Sequence, residues 1–480
     1  MKTKTIAPKN RIAVSTDDQA NSKLSTNGHG KKNGERRQAP LSAPAQPGSY
    51  IPQPLDNEPP RFYYDKASGR YWRKDIKGEF VPVSETDLKR HCRKAGVDVD
   101  DFSKEVWKFT RFDDMICDAQ DNHAVDTVIP LSGHKCGVFI TEDKRKILVP
   151  HTTRLIVPKP GEIKNWEGLL AEMFGAKQLP YCLAWLKVMV EDLRTLNPYA
   201  WHQHQMLVLA GPPNCGKSFF QKLITLLVGG RSTDPYLWMV GKSNFNEDIA
   251  ENEHLRMDDK QAFRETKARG AFAAIIKRMT VNEETAIHGK GKKQFSAPCF
   301  HRLTMSVNDD ADCITALPGL EDSIADKLMI FKCAPATMIA DYEENLSRFR
   351  VELPAFVHFL ISQFQIPEDM RIARFGVRHY HNPEIIELLK QFESRLTFKE
   401  LLDATFFKDG KEPLTKLLAV DIQRQLENGP YGSQTRQLLS HSSACGQYLG
   451  QLAKEEPARF EKTRTNGRAR WTLRASEELF

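Results

Sequence analysis

GPPNCGKS, at residues 211–218, decides the fold of this chain because it fits G-x-x-x-x-G-K-[ST], the pattern of loops that cradle phosphate groups. The apolar run at residues 206–210 precedes it, which is typical of a buried strand. Apolar residues then recur at helical spacing up to Leu227, and Gly229 and Gly230 predict the end of that helix. Strand, loop and helix follow in the order that a phosphate-binding loop requires. The sequence therefore predicts an α/β fold in which helices flank a parallel sheet.

The phosphate-binding loop, residues 211–218, assigns roles to its parts. Backbone N–H groups and the start of the following helix are expected to face the β-phosphate. Lys217 is expected to reach the β- and γ-phosphates, and the Ser218 hydroxyl to hold Mg²⁺. Cys215 is expected to fill the loop rather than to act as a nucleophile. A plain glycine turn is the alternative for the whole stretch. The residues expected to bind the cofactor, ATP, are Gly211, Pro212, Pro213, Asn214, Cys215, Gly216, Lys217, Ser218 and Phe219.

A second nucleotide motif must supply acids for the metal ion and the attacking water. Asp258 and Asp259 are the best candidates, because they follow a short apolar stretch 41 and 42 residues beyond Lys217. We expect one of the two acids, with Asp258 as the candidate, to bind Mg²⁺ together with Ser218, and the other acid to polarise water; the sequence leaves open which acid takes which role. The alternative is a solvated acidic turn.

A further strand is predicted by the alternation of Leu303, Met305 and Val307. Asn308 falls at its end, where a side-chain amide can hold the attacking water against the γ-phosphate. Asparagine at a strand end is also a common turn former, and this remains the competing interpretation.

A basic segment lies between these two strands. It carries His288, Lys290, Lys292 and Lys293 with two glycines, which is typical of a hairpin tip. Such a tip would contact nucleic-acid phosphates without reading the base sequence. A solvated basic turn is the alternative.

These four motifs, in this order and within about a hundred residues, resemble those of superfamily 3 helicases. More narrowly, the chain resembles the bacterial and phage primase–helicase family of plasmids, prophages and satellites. The further segments that carry this likeness are 62–65, 320–327, 352–359 and 471–473.

The resemblance implies a AAA+ ATPase that assembles as a homo-hexameric ring and pulls single-stranded DNA through its centre, moving 3′ to 5′. The basic segment would then be the hairpin that grips the DNA. The family also places an arginine finger after the strand that ends at Asn308, whose amide is the family's sensor. The matching position here holds Lys327, with Arg302 as the fallback.

The C-terminal end predicts a basic hairpin across residues 465–467. Its cations are Lys462, Arg464, Arg468 and Arg470. With the helix before it, this hairpin is typical of a winged helix that contacts duplex DNA, and docking to a protein is the alternative.

The chain is predicted to have six segments. They are a disordered basic arm at 1–60, a small α+β module at 61–160, a helical collar at 161–200, the AAA+ ATPase core at 201–335, a helical region at 336–440 and a winged-helix-like module at 441–480.

The composition of the chain favours some classes of protein and argues against others. The net charge of +7 suits a partner that carries phosphates. No two of the nine cysteines lie within three residues of each other, which argues against a zinc ribbon or a redox pair. Without a signal peptide or a long apolar run, we expect a cytoplasmic protein of a bacterial host, with reduced thiols and no membrane partner.

We therefore expect an ATP-dependent DNA helicase that replicates a phage, plasmid or other mobile element. Single-stranded DNA, origin duplex DNA and replication proteins are its expected partners. One alternative is an origin-binding initiator whose ATPase is only an assembly switch, which Arg256 and Lys260 favour. Another is a non-replicative NTPase. No primase activity is expected.

Overall fold

The computed structural model describes residues 62–97, 99, 110–258, 266–310, 313–337, 342–408, 412–465 and 467–475. The basic arm predicted at residues 1–60 lies outside these ranges. Within them, no helix combines the length and the apolar character needed to cross a membrane.

The first described part of the chain, the N-terminal module, contains two small sheets and two helices. Its elements are β1 (Phe62–Asp65), β2 (Arg70–Lys74), β3 (Phe80–Val83), α1 (Glu85–Lys94), α2 (Arg111–Asp121), β4 (Ala124–Val125), β5 (Thr127–Val128), β6 (Gly137–Ile140) and β7 (Lys146–Val149). The strands are ordered β3-β2-β1-β4 in one sheet and β5-β7-β6 in the other. Ser84 begins α1, because its side chain accepts a hydrogen bond from the N–H of Asp87.

A long apolar segment, α3 (Lys164–Thr195), follows the module. Its helical geometry breaks at Gly175, where φ is 58° and ψ is 176°, so α3 consists of two helical stretches. Both stretches share one hydrophobic cluster with Leu207 and Leu209. The segment predicted as a collar therefore packs directly on the sheet described next.

The central sheet is parallel and has five strands. Its region comprises β8 (Met206–Gly211), α4 (Lys217–Leu227), β9 (Ser232–Thr233), α5 (Tyr236–Met239), α6 (Glu247–Glu251), β10 (His254–Met257), α7 (Thr266–Val281), β11 (Thr285–Ile287), β12 (Phe295–Ala297), β13 (Arg302–Asn308), α8 (Asp322–Ala325) and β14 (Leu328–Lys332). The strands are ordered β14-β8-β13-β10-β9, and every neighbouring pair is parallel. The prediction of a mixed α/β fold with a parallel sheet is confirmed.

Side chains of β8 alternate between the two faces of this sheet, as the pleat of a strand requires. Leu207 and Leu209 pack with α3 and α4 on one face. Met206, Val208 and Ala210 belong to a second cluster, shared with α5, α6 and α7. Because both faces are covered, the central strand β8 is apolar throughout.

Two helices follow the sheet, α9 (Tyr342–His358) and α10 (Pro383–Phe406). Helix α10 takes part in two separate cores. Ile385 and Leu389, near its start, pack in the cluster on the second face of the sheet. Phe398 and Leu402, near its end, pack in the cluster of the C-terminal unit.

The C-terminal unit has the elements β15 (Leu414–Leu417), α11 (Ala419–Asn428), α12 (Gly432–Leu438), α13 (Ala444–Glu455), β16 (Phe460–Thr465) and β17 (Arg468–Leu473). Its antiparallel sheet has the order β15-β17-β16, and Thr465 pairs with Arg468, as the predicted hairpin requires. One hydrophobic cluster runs from Phe398 to Leu473. The border predicted between residues 440 and 441 therefore falls inside a single core. A strand, β15, also interrupts the segment predicted as helical at 336–440.

A buried ion pair joins α3 to β13. The guanidinium of Arg302 donates a hydrogen bond of 2.6 Å to the Asp192 carboxylate, and both side chains are only 3% exposed. Asp192 also accepts from the backbone N–H of His202. A charge this deeply buried is tolerated because it is paired. Arg302, the fallback arginine finger, is thus held inside its own chain.

Replacing Asp192 by alanine should lower the free energy of unfolding by about 3–5 kcal/mol, because Arg302 would be left buried without a counter-charge. Denaturant unfolding followed by tryptophan fluorescence measures this change. Glu162 provides the matched control, because its ion pair with Lys164 is exposed on both sides. Glu162→Ala should change the unfolding free energy by less than about 0.5 kcal/mol. Equal losses in both variants would contradict a special role for the buried pair.

Candidate functional site

The phosphate-binding loop joins the end of β8 to the start of α4. A Cβ atom on Gly211 would lie 2.5 Å from the Cys333 carbonyl oxygen, so no larger residue fits there. Gly216 adopts a φ of 102°, in the region that glycine alone enters without strain. The N-terminus of α4 has no side-chain cap. Its first N–H groups suit an anion, since the helix dipole adds positive charge at this end.

Lys217 connects three parts of the site. Its side chain is buried, and the ammonium donates hydrogen bonds of 2.8 Å to the carbonyl oxygens of Gly211 and Pro212. It also donates to the side-chain oxygen of Asn308 at 3.1 Å. The structure therefore brings the predicted lysine and the predicted sensor amide into direct contact.

Asp258, directly after β10, lies beside the start of α4. One carboxylate oxygen accepts hydrogen bonds from the hydroxyls of Ser218, at 2.6 Å, and Ser306, at 2.8 Å. The other oxygen accepts from the guanidinium of Arg256 at 2.5 Å. Burial alone would raise the pKa of Asp258, but these hydrogen bonds outweigh it and hold the pKa below its usual range. The carboxylate is therefore charged at neutral pH.

Strand register explains why these groups meet. Asn308 pairs with Gly211 across β13 and β8, and Met257 pairs with Met305 across β10 and β13. All three strands are parallel, so their carboxyl ends form one edge of the sheet. Ligands of open parallel sheets bind at this edge.

The oxygen atoms at this edge suit Mg²⁺. The ion prefers oxygen ligands and is commonly held by one or two protein groups, with phosphates and waters completing its shell. The Ser218 hydroxyl and the Asp258 carboxylate supply such a pair. Among the described residues, no group of three or more histidine, cysteine or acidic side chains forms an alternative metal site.

The structure does not place two of the predicted catalytic residues in this group. Asp259 lies outside the described residues. Lys327 lies at the opposite edge of the sheet, because its carbonyl oxygen accepts from the N–H of Met206, the first residue of β8. Its ammonium is 2.7 Å from Asp326 and its side chain is 10% exposed. A finger role for Lys327 stays a prediction, and this geometry gives it no support.

Two of the residues predicted to bind the cofactor, Cys215 and Phe219, lie in the hydrophobic core. Phe219 is buried and packs edge-to-face against Phe349 and Tyr342. Cys215 is fully buried, and burial raises the pKa of its thiol, which suits a loop filler.

The predicted basic hairpin is formed by β11 and β12, which pair antiparallel around the basic loop, residues 288–294. Lys290 and Lys293 are exposed and have no salt bridge within the described ranges. Lys292 forms an ion pair with Glu247. The ring of His288 lies 5.2 Å from that of Phe245, which is 45% exposed.

Asn246 fastens the basic loop to the start of α6. Its side-chain amide accepts from the N–H of His288 at 2.8 Å and donates to the carbonyl oxygen of Ala286 at 2.8 Å. Its backbone N–H donates to the carbonyl oxygen of His288 at 3.1 Å. The loop is therefore coupled to the segment that leads into β10 and Asp258.

The cations predicted in the C-terminal hairpin lie on β16 and β17. Lys462, Arg464 and Arg468 are exposed, and the ammonium of Lys462 lies 5.3 Å from the centre of the Trp471 ring. Arg470 donates to the carbonyl oxygen of Lys416. Three cations are thus exposed on this hairpin, one of them over the Trp471 ring.

Sequence reasoning missed three residues of the site. Ser306 and Arg256 hold Asp258, and Phe245 lies beside the basic loop. The alternation along β13 places Ser306 opposite the apolar Met305 and Val307, which was a usable signal. Arg256 interrupts an apolar strand, and this could have suggested a salt bridge to a nearby acid.

Lys217→Ala should abolish ATP turnover, because it removes the group that joins the loop to Asn308 and is expected to contact the phosphates. A steady-state assay of phosphate release measures this loss. Lys222→Ala on the same helix is the matched control and should retain turnover. Undiminished turnover in Lys217→Ala would remove the assignment of the phosphate-binding loop.

A protein family of unknown function, DUF5906, matches residues 209–321, which include the loop, Asp258, the basic hairpin and Asn308. No curated protein matches the chain. Among solved structures, the chain is similar to the apo NrS-1 C-terminal region (305-718), at 11% identity and a TM-score of 0.49, with 86% of this chain and 96% of that chain covered. It is also similar to JCV helicase, at 14% identity and a TM-score of 0.22, with 49% of this chain and 67% of that chain covered. A third similar structure is the active helicase Cch of SCCmec type IV, at 11% identity and a TM-score of 0.29, with 83% of this chain and 73% of that chain covered. All identities and TM-scores are low, so the function proposed next rests on the residues of this chain.

Proposed function

We propose that this protein is an ATP-dependent DNA helicase of the superfamily 3 type, with a AAA+ core, that works in the replication of a phage, plasmid or other mobile element. One observation supports this most. Lys217, Ser218, Asp258 and Asn308 converge at one edge of a parallel sheet, and the chain between the last two forms a basic hairpin.

ATP would bind with its phosphates against the loop and the start of α4, where Lys217 neutralises their charge. Mg²⁺, held by Ser218 and Asp258, would supply Lewis-acid stabilisation of the phosphates. Asn308, already in contact with Lys217, would orient the attacking water. On binding ATP, Lys217 would exchange its contact with Asn308 for contacts to the phosphates. The edge of the sheet would therefore have two arrangements, one with ATP and one without it.

The same edge is connected to the basic loop in two ways. Strand β10 ends at Asp258 and is preceded by α6, to which Asn246 fastens the loop. Strand β13 follows the hairpin and ends at Asn308. A shift of either strand end on hydrolysis would therefore move Lys290 and Lys293, which would grip phosphates of single-stranded DNA. A homo-hexameric ring would place these loops around one strand.

Duplex DNA at an origin is the second proposed partner. The exposed Lys462, Arg464 and Arg468 would contact its phosphates from the C-terminal unit, with a winged-helix-like geometry. Protein docking would instead leave duplex affinity unchanged when these cations are removed.

A second candidate function is an origin-binding initiator whose ATPase is an assembly switch. Arg256 favours it, because its salt bridge to Asp258 draws on the carboxylate that hydrolysis needs. Strand displacement separates the two. Forks with a 3′ or a 5′ tail should be unwound with ATP and Mg²⁺, whereas an initiator would form DNA-dependent oligomers without separating strands.

Lys290→Ala with Lys293→Ala should weaken binding of single-stranded DNA about tenfold at low salt, because each phosphate contact releases counterions. Unwinding should fall with it, and basal ATP turnover should remain. Lys390→Ala, an exposed lysine on α10, is the control. Equal losses of basal ATP turnover and unwinding would contradict the proposed role of the basic loop in gripping DNA.

Asn246→Ala should uncouple hydrolysis from unwinding, because it removes one side-chain hydrogen bond to the basic loop, at His288, and one to β11, at Ala286. ATP turnover should persist while unwinding per ATP falls. The control is Asn252→Ala, directly after α6, whose side chain, among the described residues, donates to the carbonyl oxygen of Asp248 in the preceding turn. Unchanged unwinding per ATP in Asn246→Ala would contradict this coupling.

A further inference from the structure

A cavity of about 260 Å³ lies between the N-terminal module and the basic hairpin. The module contributes Lys66, Asp126 and Arg145 to its lining, and the hairpin contributes Lys292, Lys293 and Phe295. Four cations line it with a single carboxylate, and two of them, Arg145 and Lys292, also pair with acids outside the lining, Asp143 and Glu247. One positive charge is therefore in excess over the carboxylates that hold these groups. A site with this balance of charge attracts anions.

The cations are held in different ways. The ammonium of Lys66 lies 3.7 Å from Asp126, and its side chain is 57% exposed, so this pairing is weak. The other oxygen of Asp126 accepts from the N–H of Lys146. Arg145 donates from one end of its guanidinium to the carbonyl oxygen of Gln294 at 2.7 Å. Lys66 and Lys293 are thus the cations most available to a ligand.

The two walls of the cavity are fixed relative to each other. Ile287, Phe295 and Ala297 of the hairpin pack with Phe139 and Ile147 of the module in one buried cluster. The hydrogen bond from Arg145 ties the same surfaces at the rim. A ligand would therefore meet cations that are already in place, which lowers the entropy cost of binding.

We propose that this cavity binds a phosphodiester group of single-stranded nucleic acid, so that the N-terminal module and the basic hairpin grip the strand together. The cavity is smaller than the roughly 300–1,000 Å³ of sites that enclose a whole small ligand. It suits a phosphate with its sugar, while the bases lie outside. This inference rests on the proposed function, and it gives the module a part in DNA binding.

Lys66→Glu in the full chain tests it, because Lys66 lies in the turn after β1 and not on the hairpin. Fluorescence anisotropy with a labelled oligothymidylate, over a series of salt concentrations, should show about three- to tenfold weaker binding at low salt. The slope of log K against log salt should fall in magnitude by about 0.7, the value for one phosphate contact on a single strand. Lys390→Glu is the matched charge reversal outside the cavity and should leave both values unchanged.

The outcomes separate this inference from the proposed function. Wild-type affinity and slope in Lys66→Glu, with binding still lost in the Lys290 and Lys293 variant, would overturn the cavity's role alone. No oligonucleotide binding by the unmodified chain would overturn the proposed function and this inference together. Calorimetry with inorganic phosphate gives a further arm. If Lys66→Glu loses only phosphate binding and keeps its affinity for the oligonucleotide, the cavity is a free-phosphate site and the inference is wrong.

Discussion

The ammonium group of Lys217 holds the candidate site together. It bonds to two carbonyl oxygens of the loop after β8 and to the side chain that ends β13. This arrangement is available only because the two strands are parallel and in the register that pairs Asn308 with Gly211. The glycines at both ends of the loop serve the same geometry, one by close approach and one by its positive φ. Everything else at the edge, including the Asp258 cluster, depends on this alignment.

The basic hairpin gains its importance from its place in the chain. It is inserted between two strands, β10 and β13, that each end at the candidate site, and it is held from two sides. Asn246 bonds to its loop, and the N-terminal module packs on its strands. A loop that was attached only through its two strands could bend without moving the neighbouring elements. This loop must move together with the surfaces that hold it.

Local patterns in the sequence predicted much of this arrangement. The strand, loop and helix around residues 211–218, the strand ending at Asn308 and both hairpins follow from spacing over a few residues. The contact that Ser306 makes with Asp258 depends on which strands are neighbours, and spacing within one segment does not contain that information. The same limit applies to Lys327, whose distance from the loop follows from the direction of β14. Local patterns also could not predict the break at Gly175 or the extent of the C-terminal core, since both depend on packing between distant segments.

Helix α10 spans two cores, with Ile385 anchored beneath the sheet and Phe398 inside the C-terminal unit. Its 24 residues form a rod of about 36 Å, at 1.5 Å per residue. Because its two ends pack in different cores, a tilt of α10 relative to the sheet would displace the C-terminal unit. A tilt of about 10° at the sheet would swing its far end by about 6 Å over that length. A small shift at the sheet would thus be carried along α10 as a larger displacement of the C-terminal unit.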